Sequence, residues 1–293
     1  MKKALAIDVG GTKIYNTIID ETGKIVGEIE KHLTPKSYDE IISVFKEIIA
    51  KHENDVDVVA FATCGAVNNT NDGILGSTGN IAKEYPKTDF KSLSKKTVYV
   101  ENDANCAAWA EHIIGASKGE PYSVMLTLGT GVGGGIILDN KLYKGKSGAA
   151  GEMHFKMSRT NDRKCTCGST DCFEAYTSGT GLRITAVEIS KNPDITTYDI
   201  IDGVKNGDVM MTEIFNIWQN DIINGIIGLA DIFDPNVFVL SGSMAEFVDT
   251  DYITEKVNAE IVTQPTRVVK AQAGNYSGMI GAGLLALGVG ING

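Results

Sequence analysis

Apolar residues near the start of the chain fall in short unbroken runs rather than at helical spacing. Residues 3–9 read as a buried strand, Gly10-Gly11 as a turn, 13–20 as a second strand, Glu21–Lys24 as another turn and 25–32 as a third strand. The period changes at Tyr38: Ile41, Ile42, Val44, Phe45, Ile48 and Ile49 recur on one helical face up to Glu53. A strand at 56–62 follows, and a strand at 97–101 leads into a helix from about 104 to 115. The pattern then restarts. Residues 122–128 read as a strand, Gly129-Thr130-Gly131 as a turn, 134–138 as a strand, and Asp139-Asn140 as the next turn. Later elements are a helix at 208–233, strands at 237–241 and 267–271, and a closing helix at 278–288.

Two halves that each open strand, glycine turn, strand and then add helices imply an α/β protein of two similar lobes, with ligands in the cleft between them. The expected division is an N-terminal lobe over 1–118, completed by the C-terminal helix at about 276–293, and a C-terminal lobe over 119–275.

Composition narrows the partners. The chain has 293 residues, 43% hydrophobic and 22% charged, with a formal net charge of −10. An acidic chain without a long basic run is a poor partner for nucleic acid or an anionic membrane. The apolar run after Met1-Lys2-Lys3 ends at Asp8, far short of a signal core, and the stretch from Met279 to Ile291 is too short to span a bilayer. A cytoplasmic protein is the expectation. The five cysteines, an odd number without an export signal, argue against a disulfide framework.

The two glycine turns are candidate phosphate loops. In Asp8-Val9-Gly10-Gly11-Thr12-Lys13 successive backbone amides can form an anion nest, Thr12 can donate its hydroxyl, and Asp8 can hold Mg²⁺ directly or through water. A simple hairpin with a capping Asp is the alternative. Gly129-Thr130-Gly131-Val132-Gly133-Gly134 matches G-x-G-x-x-G, but a strand follows it where a dinucleotide site needs a helix. No G-x-x-x-x-G-K-[ST] sequence is present, so a P-loop is excluded. What remains is a second glycine hairpin, and two such hairpins facing one cleft would grip a triphosphate from both sides.

Glu101-Asn102-Asp103-Ala104-Asn105 lies at a strand-to-helix junction. A carboxylate there can take the proton of a hydroxyl nucleophile while its Asn neighbour fixes the same substrate. Either residue could instead be only a helix N-cap.

Taken together, Asp8–Lys13, Glu101–Asn105, Leu128–Gly135, Gly151-Glu152, Cys165-Thr-Cys-Gly with Cys172-Phe-Glu174, Phe238–Ser243 and Ile280–Gly283 resemble the ROK family of sugar kinases and sugar-responsive repressors, over nearly the whole chain. The resemblance implies an actin-like, ribonuclease-H-type ATPase fold with ATP between the glycine hairpins (Asp8, Gly10, Gly11, Thr12 and Lys13; Gly129, Thr130 and Gly131), Gly242 on the adenosine side, and the sugar beneath. It implies Asp103 as catalytic base, with Asn102, Glu152, Glu174, Asn80, Gly65 and His154 on the sugar side. Two departures stand out: the family's Pro-Gly reads Cys64-Gly65, and its Glu-x-Gly-His is one residue short, as Glu152-Met153-His154.

Cys165, Cys167 and Cys172 fall within eight residues, and with His154 they make a tetrahedral Cys₃His set suited to structural Zn²⁺. By resemblance the metal would stiffen the segment that presents Glu152 and Glu174.

The family's repressors carry an additional helix-turn-helix domain, whereas the first phosphate-loop strand here begins at residue 3, which favours the kinase. The expected reaction is phosphorylation of a hexose hydroxyl by ATP, with glucose at the 6-position first. N-acetylmannosamine, N-acetylglucosamine, fructose or a β-glucoside are alternatives, and a non-catalytic sugar-binding protein is a further one. A homodimer is the family expectation.

Overall fold

A computed structural model describes residues 1–76 and 81–291. By contact the chain divides into two units: one of Met1–Pro121, Gly135–Glu152 and Ala271–Gly293, the other of Tyr122–Gly134 and Met153–Lys270. Residues 135–152, expected in the second lobe, therefore group with the first.

The first unit opens with β1 (Lys3–Val9), β2 (Lys13–Asp20) and β3 (Glu30–Leu33), then α1 (Tyr38–His52). β4 (Val58–Thr63), the short pair β5 (Ala66–Val67) and β6 (Ile74–Gly76), β7 (Thr97–Asn102) and α2 (Asp103–Ile114) follow. Its five-stranded sheet runs β3-β2-β1-β4-β7, antiparallel from β3 to β1 and parallel from β1 to β7. β3 is shorter than the sequence pattern suggests: residue 25 makes only an isolated bridge with Ile19.

Both faces of this sheet are covered, so its strands alternate by size rather than by polarity. Leu5, Ile7, Val9, Val59 and Phe61 pack with Ile41, Phe45, Ile48 and Ile49 of α1. On the other face Ala6, Ala60 and Ala62 meet Cys106, Trp109 and Ala110 of α2, together with Met279, Ala282 and Leu284 further along the chain. Alanine on that face lets two helices lie close to the strands. Asp8, in step with Ala6, ends up on the same face.

The second sheet contains β8 (Ser123–Leu128), β9 (Val132–Leu138), β10 (Lys141–Leu142), and later β11 (Val237–Ser241) and β12 (Arg267–Lys270), in the order β10-β9-β8-β11-β12. This repeats the strand order of the first sheet, as the two similar openings of the sequence suggest. The second unit adds α3 (Phe173–Thr177), α4 (Gly179–Ser190), α5 (Thr197–Lys205), α6 (Val209–Phe233) and α7 (Thr250–Asn258). The closing α8 (Ser277–Ala286) belongs to the first unit. No helix among the described residues is long and apolar enough to cross a membrane.

Candidate active site

At the end of β7 the chain turns into α2, and the capping chemistry decides which side chain is available. Asn102 is the N-cap: its Oδ1 accepts from the amides of Ala104 and Asn105, both at 3.0 Å, while its Nδ2 donates to the carbonyl of Gly65 at 3.1 Å. Asp103, the first helical residue, accepts from Ala104 N at 2.8 Å and stays exposed at its surface. The capping alternative thus falls to Asn102. Gly65 takes its place with a φ of 91°.

Two carboxylates here are shifted upward. Crowding by protein, and next the charge of Asp103, push Asp8 up to about 7. Asp103 rises to about 6, chiefly through the protein mass around it, offset by the Ala104 amide and reinforced by the charge of Glu152. Water still reaches the Asp103 surface and tempers that rise. Asp8 also lies by the start of α8, where a Cβ on Gly278 would sit 3.5 Å from its Oδ2. A carboxylate crowded by another in this way is relieved by a divalent cation, so Asp8 fits a Mg²⁺ role.

Behind the turn Glu101 is fully buried and fully partnered. Its Oε1 accepts from Asn102 N at 2.9 Å and from Asn105 Nδ2 at 3.1 Å, and its Oε2 from Asn71 Nδ2 at 2.7 Å. Lys144 closes the set with an ion pair of 2.8 Å to Oε2.

The first hairpin is shaped by a bond from Gly10 N to the carbonyl of Lys13, 3.0 Å, and Thr34 braces it, donating from Oγ1 to Gly10 O at 2.7 Å and from its amide to Thr12 O at 3.1 Å. Lys13 begins β2 and is exposed, and Gly11 and Thr12 lie in the turn. The second hairpin is closed by Gly129 N on Gly131 O at 3.0 Å. It is held at the start of α4 by Gly179 N on Gly129 O, 2.8 Å, and by Thr180 Oγ1 on Thr130 O, 2.7 Å. Gly242 follows β11 with a φ of 87°.

In the second unit Glu174 is buried on α3. Its Oε2 accepts from Val132 N at 3.1 Å and its Oε1 from Thr166 Oγ1 at 2.6 Å. A Cβ on Gly131 would lie 2.6 Å from Oε2, so the hairpin needs glycine there. Burial alone would raise Glu174, but donation from Thr166 and Val132 and the nearby His154 outweigh it and hold the carboxyl below its ordinary value.

The knuckle brings His154, Cys165 and Cys167 together, their ligand atoms all within 4.8 Å of one another. Cys165 Sγ is 3.4 Å from His154 Nδ1, and Cys167 Sγ is 3.6 Å from Cys172 Sγ. Tetrahedral zinc ligands at about 2.0–2.3 Å lie roughly 3.3–3.8 Å apart; His154, Cys165 and Cys167 form a compact group compatible with Zn²⁺, and Cys172 adjoins it through Cys167. The short Glu152-Met153-His154 spacing is accommodated by Met153, which takes a left-handed φ of 50°. That turn breaks the strand-like alternation that two-residue spacing would otherwise impose.

The ROK family model matches residues 4–289. The chain belongs to the ROK family. A glucokinase of Streptomyces coelicolor is 30% identical over 312 residues, covering 98% of each chain. An N-acetylmannosamine kinase of Yersinia pseudotuberculosis is 29% identical over 293 residues, covering 98% of this chain and 99% of its own. The crystal structure of a ROK family glucokinase from Streptomyces griseus in complex with glucose and AMPPNP has a TM-score of 0.78 at 30% identity, covering 97% of this chain and 99% of that one. The α/β fold is accordingly the actin-like ATPase fold of ROK kinases.

Within the first unit the structure brings together Asp8, Gly65, Asn102, Asp103 and Glu152, and within the second Glu174, His154, the three cysteines and the 129–131 hairpin. Asn80 lies outside the described residues. Sequence reasoning missed Asn71, Lys144 and Thr166. The run of short polar residues Asn68-Asn69-Thr70-Asn71-Asp72 is a signal for a structured turn, but nothing in the sequence singles out the lysine or the threonine.

Proposed function

We propose that this ROK protein is an ATP-dependent sugar kinase that phosphorylates a hexose hydroxyl, glucose at the 6-position first, with Asp103 as the general base. The observation that carries the reading is the state of Asp103. Asn102 does the capping, and the protein packed around Asp103, reinforced by the charge of Glu152, raises Asp103 to about 6. Such a carboxylate is ionised at neutral pH and still basic enough to accept a proton in the transition state.

Asp103 takes the proton of the sugar hydroxyl as its oxygen bonds to the γ-phosphorus, and ADP leaves with the electron pair of the broken P–O bond. Asn102, Gly65, Glu152, Glu174, His154 and Asn80 orient the sugar. The amides at Gly10, Gly11, Thr12 and Lys13, and those at Gly129, Thr130 and Gly131, hold phosphate oxygens, with Gly242 on the adenosine side. Asp8 would hold Mg²⁺, which would supply positive charge against the phosphates. His154, Cys165, Cys167 and Cys172 would hold Zn²⁺, which supplies the knuckle with a fixed shape that short loops do not keep alone. The named activities of the relatives and the nucleotide analogue in the Streptomyces griseus complex support the same reading, and a homodimer in the cytoplasm completes it.

A coupled assay of ADP release tests it across glucose, N-acetylmannosamine, N-acetylglucosamine, fructose and a β-glucoside. Turnover with glucose giving the 6-phosphate is expected. Preference for one of the other sugars would correct the substrate, and no release with any sugar would sink the kinase.

A further inference from the structure

Lys144 sits where three segments of the first unit meet. Its ammonium pairs with the buried Glu101 at 2.8 Å and donates to the carbonyl of Asn68 at 3.0 Å. Its own carbonyl accepts from Gly148 N and Ala150 N, both at 3.1 Å, and so closes the turn that runs toward Glu152. Asn69 Nδ2 donates to the carbonyls of Gly145 and Lys146, at 3.2 and 2.8 Å. At Gly148 the loop passes backbone against backbone: φ is 105°, and a Cβ would lie 2.0 Å from the carbonyl oxygen of Val67. Glu101 in turn fixes Asn102 N and Asn105 Nδ2, the first residues of the turn that presents Asp103.

We infer that Lys144 is a positioning residue for sugar phosphorylation: through Glu101 it locks the loop that delivers Glu152 to the turn that delivers Asn102 and Asp103. The inference rests on the kinase reading above and adds a residue outside the sugar and nucleotide contacts proposed there. A long basic side chain suits the place, because it spans from one loop to a carboxylate buried under another and neutralises it there.

The tie can be separated from the charge. Lys144→Met leaves Glu101 buried without its cation and costs stability as well as position. The double variant Glu101→Gln/Lys144→Met leaves no buried charge, yet still lacks the link between loop and turn. Both variants should lose at least tenfold in kcat/KM for the sugar, with the KM for ATP within threefold of the parent, at a temperature well below unfolding. If Lys144→Met does not fold, the double variant carries the test alone. A double variant within threefold of the parent in sugar kcat/KM, or a loss shared equally by ATP and sugar, would reduce Lys144 to a prop. Hydrogen exchange keeps this distinct from a failure of the kinase reading. The amides of Asn102, Gly148 and Ala150 should exchange at least tenfold faster in the double variant whatever the activity, and unchanged protection there would overturn the inference even if the parent proved not to be a kinase.

Discussion

At the turn between β7 and α2, Asp103 is crowded by the protein around it and by the charge of Glu152 and pushed up to about 6; in the second unit, Glu174 has a donor on each oxygen and is held below its ordinary value. The two carboxylates belong to motifs of the same family, yet their surroundings prepare them for different work. Glu174 is bound into a scaffold that joins Thr166 of the knuckle to Val132 of the glycine hairpin. Asp103 is left short of compensation, with Asp8 in the same condition, while Glu101 directly behind them has a cation and three hydrogen bonds. Where a fold could have satisfied a carboxylate and did not, a proton, a cation or a substrate is the missing partner.

Removing the uncompensated group should have the largest effect. Asp103→Asn keeps the shape and a hydrogen-bonding side chain but cannot take a proton, so kcat should fall by ~10²–10⁴-fold with sugar affinity little changed. A loss below tenfold in steady-state turnover would leave Asp103 a ligand only.

The knuckle breaks differently, through folding. Purified protein should contain one zinc per chain, and replacing Cys165, Cys167 or Cys172 by Ser should remove it and lower the unfolding temperature, since metal binding and local folding are one process. His154→Ala should weaken the metal without abolishing it. Elemental analysis of protein kept from chelators decides this, and zinc content untouched by His154→Ala would remove the histidine from the ligand set.

The smallest effect sharpens the contrast, because its sign is opposite. A folded-state value near 7 for Asp8, against 3.8 as the ordinary value, means that the folded chain binds this proton more tightly than the unfolded one. The associated stability is present at acid pH and lost as pH rises through about 7. Asp8→Asn should therefore stabilise the metal-free protein above pH 7, by roughly 1–4 kcal/mol once partial solvent screening is allowed for, while damaging activity. Thermal melts at pH 5 and pH 8 read the difference; a variant less stable than the parent at pH 8 would mean that Asp8 has a cationic partner in the protein itself.

Much of this contrast could be read before the fold was known. Asp8, Asp103 and the cysteines announce themselves because each sits in a short motif whose chemistry is local: a strand end before glycines, a helix start, thiols a few residues apart. The repeated strand order likewise follows from the two strand, turn, strand openings. Lys144, Asn71 and Thr166 could not be read, since each acts on a carboxylate 8 to 43 residues away in sequence. The helices α4, α5 and α7 escaped for another reason. α4 carries Gly179, Thr180, Gly181 and Thr185, poor helix formers whose segment is helical because Ser178 caps it and Leu182 and Ala186 are buried. α5 and α7 are nine residues each and depend on the caps at Thr196 and Asp249. At Met153 the missing residue of the motif marks an irregular spot, but nothing in the residue type announces its left-handed φ of 50°.

The most direct test of Asp103 as the base is the pH dependence of kcat/KM for the sugar, measured for the parent and for Asp103→Asn side by side. With Mg²⁺ saturating, so that Asp8 stays ionised in both proteins, taking the ratio of the two cancels the titration of the nucleotide and of the groups that Asp103 does not influence. Because Asp103 must be ionised to accept a proton and its value is raised to about 6, the ratio should be constant above pH 7 and fall about tenfold per pH unit well below pH 6. A ratio that stays flat from pH 5 to pH 8 would mean that the group lost in Asp103→Asn does not titrate in the reaction, and that the base lies elsewhere.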